Sequence, residues 1–230
     1  MTQSQTSTEP RGVMIELKER TQTLHTETER HPVQRGIMSG QLPREAYASV
    51  LEQSLPLHRA ISTRLEQLRG DDRFGALVFE EAFLHPHVIE DIAFFGGSAD
   101  AEAGAAATSA AERVLAADAL EVIGSHYVLE GAKNGGRFIA KALRKVYQLE
   151  GTDGTRSLDP HGDEQMPIWQ RFKGAMGEAG FNEAEIGSIV AGAEATFRDM
   201  IAIFDELAEQ PAIKPVADRL AAAPAGAPHH

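Results

Sequence analysis

A histidine near the N-terminus stands where it could ligate a metal. His25 follows Leu24 on the apolar side of a predicted helix, and Glu29 lies one turn later on the same face. A histidine in this position can ligate haem iron or another metal through one ring nitrogen while a neighbouring acceptor orients the other. The alternative is a half-buried histidine that pairs with the nearby carboxylate. The His-x-x-x-Glu spacing is short and common, so by itself it favours this alternative.

Three glycines form the second unusual feature. Gly131, Gly135 and Gly136 fall in the middle of an otherwise regular helical pattern, where each glycine costs about 0.5–1 kcal/mol relative to alanine. Either they allow another helix to pack very close, or they kink the helix and bring bare backbone against a flat ligand. Both explanations stay open at this point. Phosphate binding is disfavoured because the spacing is not that of a P-loop and no predicted strand precedes it.

The remaining histidines and carboxylates give weaker signals. A di-iron site in a helical bundle uses Glu-x-x-His pairs, whereas Glu81 and His85 are four residues apart. His85 and His87 flank Pro86 and are typical of a helix break at the surface. The acidic residues are spread along the chain and are interpreted as solvated helix faces.

The segments that carry these residues are predicted to be helical. Apolar residues recur at spacings of three and four, and no convincing alternating strand occurs. Residues 96–109 and 151–167 are rich in small or turn-forming residues and are interpreted as connections. The pattern indicates one all-α domain over 13–209, between a disordered N-terminus at 1–12 and a flexible C-terminal tail at 210–230. The predicted helices cover 13–30, about 43–68, 74–95 with an interruption at Pro86, 110–149, 168–178 and 186–207.

Composition and charge exclude several classes of protein. The chain has 230 residues, with 22 Lys and Arg against 34 Asp and Glu, and a formal net charge of −12. This charge argues against a general nucleic-acid binder. The lack of cysteine excludes a disulfide scaffold, a thiolate nucleophile and Cys-ligated metal centres. Neither a membrane-spanning apolar stretch nor a secretory signal is recognisable, so we expect a soluble, cytoplasmic protein without membrane or nucleic-acid partners.

Four segments, in the same order and with suitable spacing, resemble the biliverdin-producing haem oxygenase family in its bacterial form. Residues 17–29, which include His25, are similar to the family's first helix, and residues 126–136 are similar to its kinked distal helix. Residues 40–66 and 195–207 are similar to its second and closing helices. The resemblance implies a single-domain haem-oxygenase-like helical bundle, in which a glycine-kinked distal helix faces His25 across the haem.

The resemblance also implies roles for individual residues. His25 becomes the axial ligand of the haem iron, and Lys18, two turns earlier, matches a propionate contact of the family. Arg171 or Lys173 is expected to supply a second cation at the propionates. The distal helix is expected to face the haem at Gly131, Asn134, Gly135 and Gly136. The other residues expected to contact or orient the haem are Glu29, Tyr127, Phe197 and Phe204.

For function, the resemblance implies the oxidative opening of haem, which is both cofactor and substrate, to biliverdin with release of CO and ferrous iron. O₂ is the oxidant, and the protein contributes orientation while the haem supplies the chemistry. No flavin or nicotinamide fingerprint occurs, so electrons are expected from a ferredoxin or a flavoprotein reductase. A biliverdin acceptor is a further partner consistent with this function.

One departure from the family keeps other functions open. Ala132 stands where many members have an aspartate that organises water at the distal face, and Asn134 is the nearest substitute. The first alternative is therefore a haem carrier or sensor of the same fold that does not degrade haem. The second is a relative that binds no haem, such as a di-iron oxidase or a thiamin-degrading protein. That relative would need a carboxylate–histidine cluster or a cysteine.

Overall fold

The computed structural model describes residues 12–223. Their regular structure is entirely helical, which confirms the predicted all-α class. Among these residues no helix has the length and apolarity that crossing a membrane requires. The α-helices are α1 (Val13–Arg30), α2 (Pro32–Met38), α3 (Arg44–Leu68), α4 (His85–Phe94), α5 (Ala105–Ala116), α6 (Ala119–Tyr147), α7 (Gln165–Glu178), α8 (Glu183–Ala208) and α9 (Lys214–Ala222). Single turns of 3-10 helix lie at Gly75–Leu77, Glu80–Ala82 and Gly162–Glu164.

Helices α6 and α8 pack against each other at very close range. A Cβ atom added at Gly124 would overlap backbone atoms of α8, and one added at Gly192 would overlap the carbonyl oxygen of Glu121. The hydroxyl of Thr196 donates to that of Ser125 at 2.8 Å. Because Glu121 faces Gly192 and Ser125 faces Thr196, the two helices run in the same direction.

Helix α1 also packs along α8. The ring of His25 lies 5.7 Å from that of Phe197, and the ring of His31, just after α1, lies 5.4 Å from that of Phe204. These contacts occur in the same order along both helices, so α1 runs in the same direction as α8 and α6. Leu17, on the same helix, is completely buried.

The prediction of one helix over 110–149 is wrong at its N-terminal end. Two helices, α5 and α6, occupy the region, because the side chain of Asp118 accepts the backbone N–H of Glu121 and caps a new helix. Helix α5 begins within the predicted connection at 96–109. Its buried face is made of small residues, which a search for bulky apolar residues overlooks. They are Ala107, Ala110 and Val114.

Helix α6 continues through the glycine segment without a break. Gly131, Gly135 and Gly136 all lie inside the α-helix that ends at Tyr147. The interruption expected at these glycines is therefore not present, and the kink itself stays a prediction.

Several prolines lie in the first turn of a helix, whereas Pro56 lies inside α3. The region predicted as a helix over 74–95 consists of two 3-10 turns followed by α4, whose first turn contains Pro86. Pro167 lies in the same way near the start of α7, which begins at Gln165 rather than at 168. A first turn suits proline because its backbone N–H groups have no partner within the helix.

The segment predicted as a flexible tail at 210–230 contains a packed helix. In α9, one face is buried against the rest of the domain, and the guanidinium of Arg35 donates to the carbonyl oxygen of Leu220 at 2.6 Å. The prediction was wrong here because a few apolar residues on one helix face suffice for packing. The buried residues are Val216, Ala217 and Leu220. Residues 1–11 and 224–230 lie outside the described part of the chain.

Candidate functional site

His25 is presented to solvent on the face of α1 that meets α8. Its side chain is 51% exposed, and its Nδ1 lies 3.6 Å from the Oε2 atom of Glu29. The ring meets Phe197 edge to face at 5.7 Å. A carboxylate that holds the Nδ1 proton leaves Nε2 unprotonated and able to ligate a metal.

The three glycines of α6 have different surroundings. A Cβ atom added at Gly136 would overlap the carbonyl oxygen of Leu158, so this glycine serves close packing of the chain. A Cβ at Gly135 would meet nothing within 4 Å, and one at Gly131 would meet only the edge of Trp169 at 4.0 Å. Close packing therefore accounts for Gly136, whereas Gly131 and Gly135 leave bare backbone facing open space.

A contact one turn away brings α1 and α6 together. The hydroxyl of Tyr127 interacts with the side chain of Thr21; burial raises the pKa of Tyr127, and this interaction opposes the rise. Since the two helices run in the same direction, the next turn of each carries His25 and Gly131. The half-exposed histidine and the bare backbone therefore lie at the same level of the two helices, and we call the region between them the glycine cleft. Its bordering residues are His25, Gly131, Gly135, Tyr127 and Phe197.

Helix α7 closes one edge of the glycine cleft. The ring of Trp169 lies 6.0 Å from that of Tyr127, and the ammonium of Lys173 stands 5.9 Å from the Trp169 ring. Trp169 therefore adds an apolar wall, and Lys173 adds a positive charge beside it.

Arg171 points elsewhere. Its guanidinium pairs with the Oε2 atom of Glu81 at 2.7 Å and lies 4.1 Å from the centre of the Phe79 ring. Arg171 is two positions after Trp169, which places them on nearly opposite sides of a helix. The two cations predicted for the propionates thus have different surroundings, and both stay predictions.

The other predicted residues lie at various distances from His25. Lys18 is exposed two turns before it on α1. Phe204 is buried two turns beyond Phe197, against His31 rather than His25. Asn134 is half-buried and accepts a hydrogen bond from the side-chain amide of Gln165 at 3.3 Å. Lys18 and Phe204 are therefore outer neighbours of the glycine cleft.

The sequence analysis missed a buried ion pair beside the cleft. Glu130 and Lys133 form a 2.6 Å pair in which both side chains are about 1% exposed, so Glu130 does not belong to a solvated face. The neighbouring His126 is fully buried. The i,i+3 spacing of Glu130 and Lys133, one turn after His126, was a signal for this cluster.

No group of three or more His, Asp or Glu side chains that could hold a metal ion occurs within 12–223. The di-iron alternative would need such a group. The residues of the glycine cleft are of the kinds that can hold a haem, because they combine one available histidine, bare helix backbone and aromatic side chains.

Comparisons with solved structures show which proteins share this fold. The chain is similar in fold to a haem oxygenase from Leptospira interrogans (TM-score 0.79, 22% identity, 85% of this chain and 100% of that one). It is also similar to heme oxygenase-2 of Synechocystis sp. PCC 6803, solved in complex with heme and NO (0.82, 20%, 94% and 95%). A domain of unknown function from Shewanella denitrificans shares the fold more distantly (0.67, 15%, 86% and 93%).

Sequence comparison is decisive for the family. No match was found among curated proteins. The family model described as heme oxygenase, however, matches residues 12–206. This range runs from the start of α1 almost to the end of α8 and includes both His25 and the glycines of α6. The chain therefore belongs to the haem oxygenase family.

Proposed function

We propose that the protein is an enzyme that opens haem oxidatively to biliverdin, releasing CO and ferrous iron, with O₂ as oxidant. The observation that carries the proposal is the half-exposed His25 across the glycine cleft from Gly131 and Gly135, where the only described neighbour of an added Cβ would be the edge of Trp169, 4.0 Å from that of Gly131. The family match and the similar fold of haem-bound oxygenases support it.

Each residue of the cleft has a physical role in this proposal. His25 would ligate the iron through Nε2 while Glu29 holds Nδ1, and Phe197 would flank the ring. Gly131 and Gly135 would let the porphyrin lie against helix backbone. When bound, the haem supplies the oxygen chemistry, and the protein orients it.

Cations and partners complete the proposal. Lys173 on α7 and the exposed Lys18 on α1 would face the propionates. Electrons would come from a ferredoxin or a flavoprotein reductase, and the product would pass to a biliverdin acceptor in the cytoplasm. These partners rest on the resemblance of the sequence to the family.

A hemin titration followed by reduction tests the proposal. Hemin added to the purified protein is expected to give a sharp Soret band, which decays to the broad red absorption of biliverdin once ascorbate is supplied in air. His25→Ala removes the proposed iron ligand, so it is expected to lower hemin affinity by about tenfold or more. His87→Ala, the same change at a partly exposed histidine of α4, is the matched control and is expected to behave like the wild type.

Two outcomes would contradict the proposal. A Soret band that persists under reductant would indicate the haem carrier or sensor, the function that Ala132 keeps open. Equal hemin affinity of His25→Ala and wild type would remove His25 as the ligand.

A further inference from the structure

A cluster of buried polar side chains lies on the flank of α6 beside the glycine cleft. The ammonium of Lys133 donates to Glu130 at 2.6 Å and to the carbonyl oxygen of Glu81 at 3.0 Å. Taking both charges of such a pair out of water is expensive, and apolar residues of similar volume often stabilise a fold as well. Stability alone therefore does not account for this pair.

The hydrogen bond of His126 determines which of its nitrogens carries a proton. Its Nε2 lies 3.1 Å from the carbonyl oxygen of Leu77, which can only accept, so Nε2 is the protonated nitrogen. In the neutral ring Nδ1 is then an acceptor, and it faces the Oε1 atom of Glu130 at 3.8 Å. The Nδ1 of His126 and the Oε2 of Glu130 are buried and have no hydrogen-bond partner among the described residues.

Two acceptors that face each other cannot form a hydrogen bond unless one of them gains a proton. A proton on Nδ1 of His126, or on the carboxylate of Glu130, would convert their contact into a donor–acceptor pair. The pair is therefore a binding site for a single proton inside the protein. Neither residue has a role in the proposed haem site.

Several charged groups surround this proton site. Burial lowers the pKa of His126, while Glu130 raises it and Lys133 lowers it. Three other titratable groups interact with the pair or with Lys133: His58 of α3, Glu81 of the 3-10 turn and His161 of the loop before α7. His85 of α4 interacts in turn with His58.

The proton site adjoins the glycine cleft along the surface of α6. Glu130 directly precedes Gly131, and Asn134 lies between these two on the circumference of the helix. The amide of Gln165 holds Asn134 at 3.3 Å, and the Oε1 atom of Gln165 is buried without a partner. On the surface of α6, the side chain of Asn134 and its partner Gln165 thus lie between the proton site and the bare backbone.

We propose that Glu130, acting with His126, relays the proton that is delivered past Asn134 to the glycine cleft, where Ala132 supplies no acid. Because it acts through Asn134, Glu130 is a positioning residue for proton delivery. The proton site is empty at rest and takes up its proton from solvent, with the half-exposed His161 at the outer side of the cluster. Electrons for the reaction come from the external reductant, so the site itself undergoes no redox change. This inference rests on the proposed function.

The first test uses hemin-free protein and the ¹⁵N shifts of its histidines. His126 is expected to be protonated at Nε2 and not at Nδ1 near neutral pH. Protonation at Nδ1 instead would overturn the inference, because the two facing acceptors would not exist.

The second test removes the ion pair without leaving a lone buried charge. Glu130→Leu/Lys133→Met is expected to fold and to bind hemin with unchanged affinity. In air with ascorbate, its single-turnover ring opening is expected to be slower by about tenfold or more and to follow a different pH profile from the wild type. His126→Gln, which keeps a donor toward Leu77, is the second variant and is expected to be slowed as well.

A matched control separates proton delivery from loss of a buried carboxylate. Asp91 is also fully buried, but its carboxylate accepts hydrogen bonds from the backbone N–H groups of Arg156 and Ser157 rather than from a lysine. Asp91→Asn is expected to keep the wild-type pH profile. If both cluster variants keep the wild-type rate and pH profile, the inference is overturned while the proposed function stands. A wild-type protein that binds hemin but never opens it would contradict the proposed function, and the inference with it.

Discussion

Gly131, Gly135 and Gly136 are close in sequence but have different physical reasons to be glycine. At Gly136 the carbonyl oxygen of Leu158 occupies the space that a Cβ would need. At Gly135 that space is open, so no contact among residues 12–223 requires a glycine there. The helix nevertheless bears the propensity cost of glycine at both positions. We attribute Gly135 to the ligand and Gly136 to packing.

This difference predicts opposite effects of the same substitution. Gly135→Ala is expected to raise the free energy of unfolding of the hemin-free protein by about 0.5–1 kcal/mol, since alanine favours the helix and its Cβ meets no atom. Gly136→Ala is expected to lower the free energy of unfolding, because its Cβ would overlap the Leu158 carbonyl oxygen. Urea unfolding of the two variants checks both signs, and equal effects would show that the surroundings are alike.

At the scale of elements, α9 belongs to the folded domain although the sequence analysis treated its segment as a tail. Its apolar face is buried, and Arg35 of α2 donates to its last turn at Leu220. Because this contact joins residues 185 positions apart, the sequence pattern near the C-terminus does not show it.

Truncating a buried leucine of α9 tests this packing. Leu220 is 7% exposed, so Leu220→Ala is expected to lower the free energy of unfolding by about 2–4 kcal/mol. Leu115→Ala, at a leucine that is 50% exposed on α5, is the matched control and is expected to cost much less. Denaturant unfolding measures both, and a negligible loss for Leu220→Ala would mean that α9 is not held in solution.

At the scale of the whole molecule, histidines clustered with Lys133 make stability depend on pH. Burial, followed by the charges of His85 and Lys133, lowers the pKa of His58 from 6.5 to about 4. The Nδ1 atom of His58 is buried without a hydrogen-bond partner among the described residues, although part of the ring reaches the surface. Protonating this ring is therefore unfavourable in the folded state.

The sign of the pH effect follows from this lowered pKa. Between pH 6.5 and about 4 the unfolded chain binds a proton at His58 that the folded protein does not, so the free energy of unfolding falls as the pH is lowered through this window. The contribution is at most about 3 kcal/mol. His58→Leu is expected to flatten this part of the pH dependence, whereas His87→Leu is not. Urea unfolding at a series of pH values measures it, and an unchanged slope in His58→Leu would contradict the assignment.

The sequence by itself determined the all-α class, the bounds of α1, and the two features that matter most for function. Helical periodicity depends on local spacing, so His25 and Glu29 could be placed on one helix face from the sequence alone. The glycines were equally visible, because glycine within a helix is locally unfavourable. The resemblance to the family joined these two features into one expected site.

Only the tertiary structure decided what surrounds each of these residues. It separated Gly136 from Gly135 through Leu158, paired Arg171 with Glu81, and buried Glu130. Spacing along a helix tells which residues share a face, but not which face another element will cover. That covering comes from segments distant in sequence, so the burial and the partners of these side chains exist only in the folded chain.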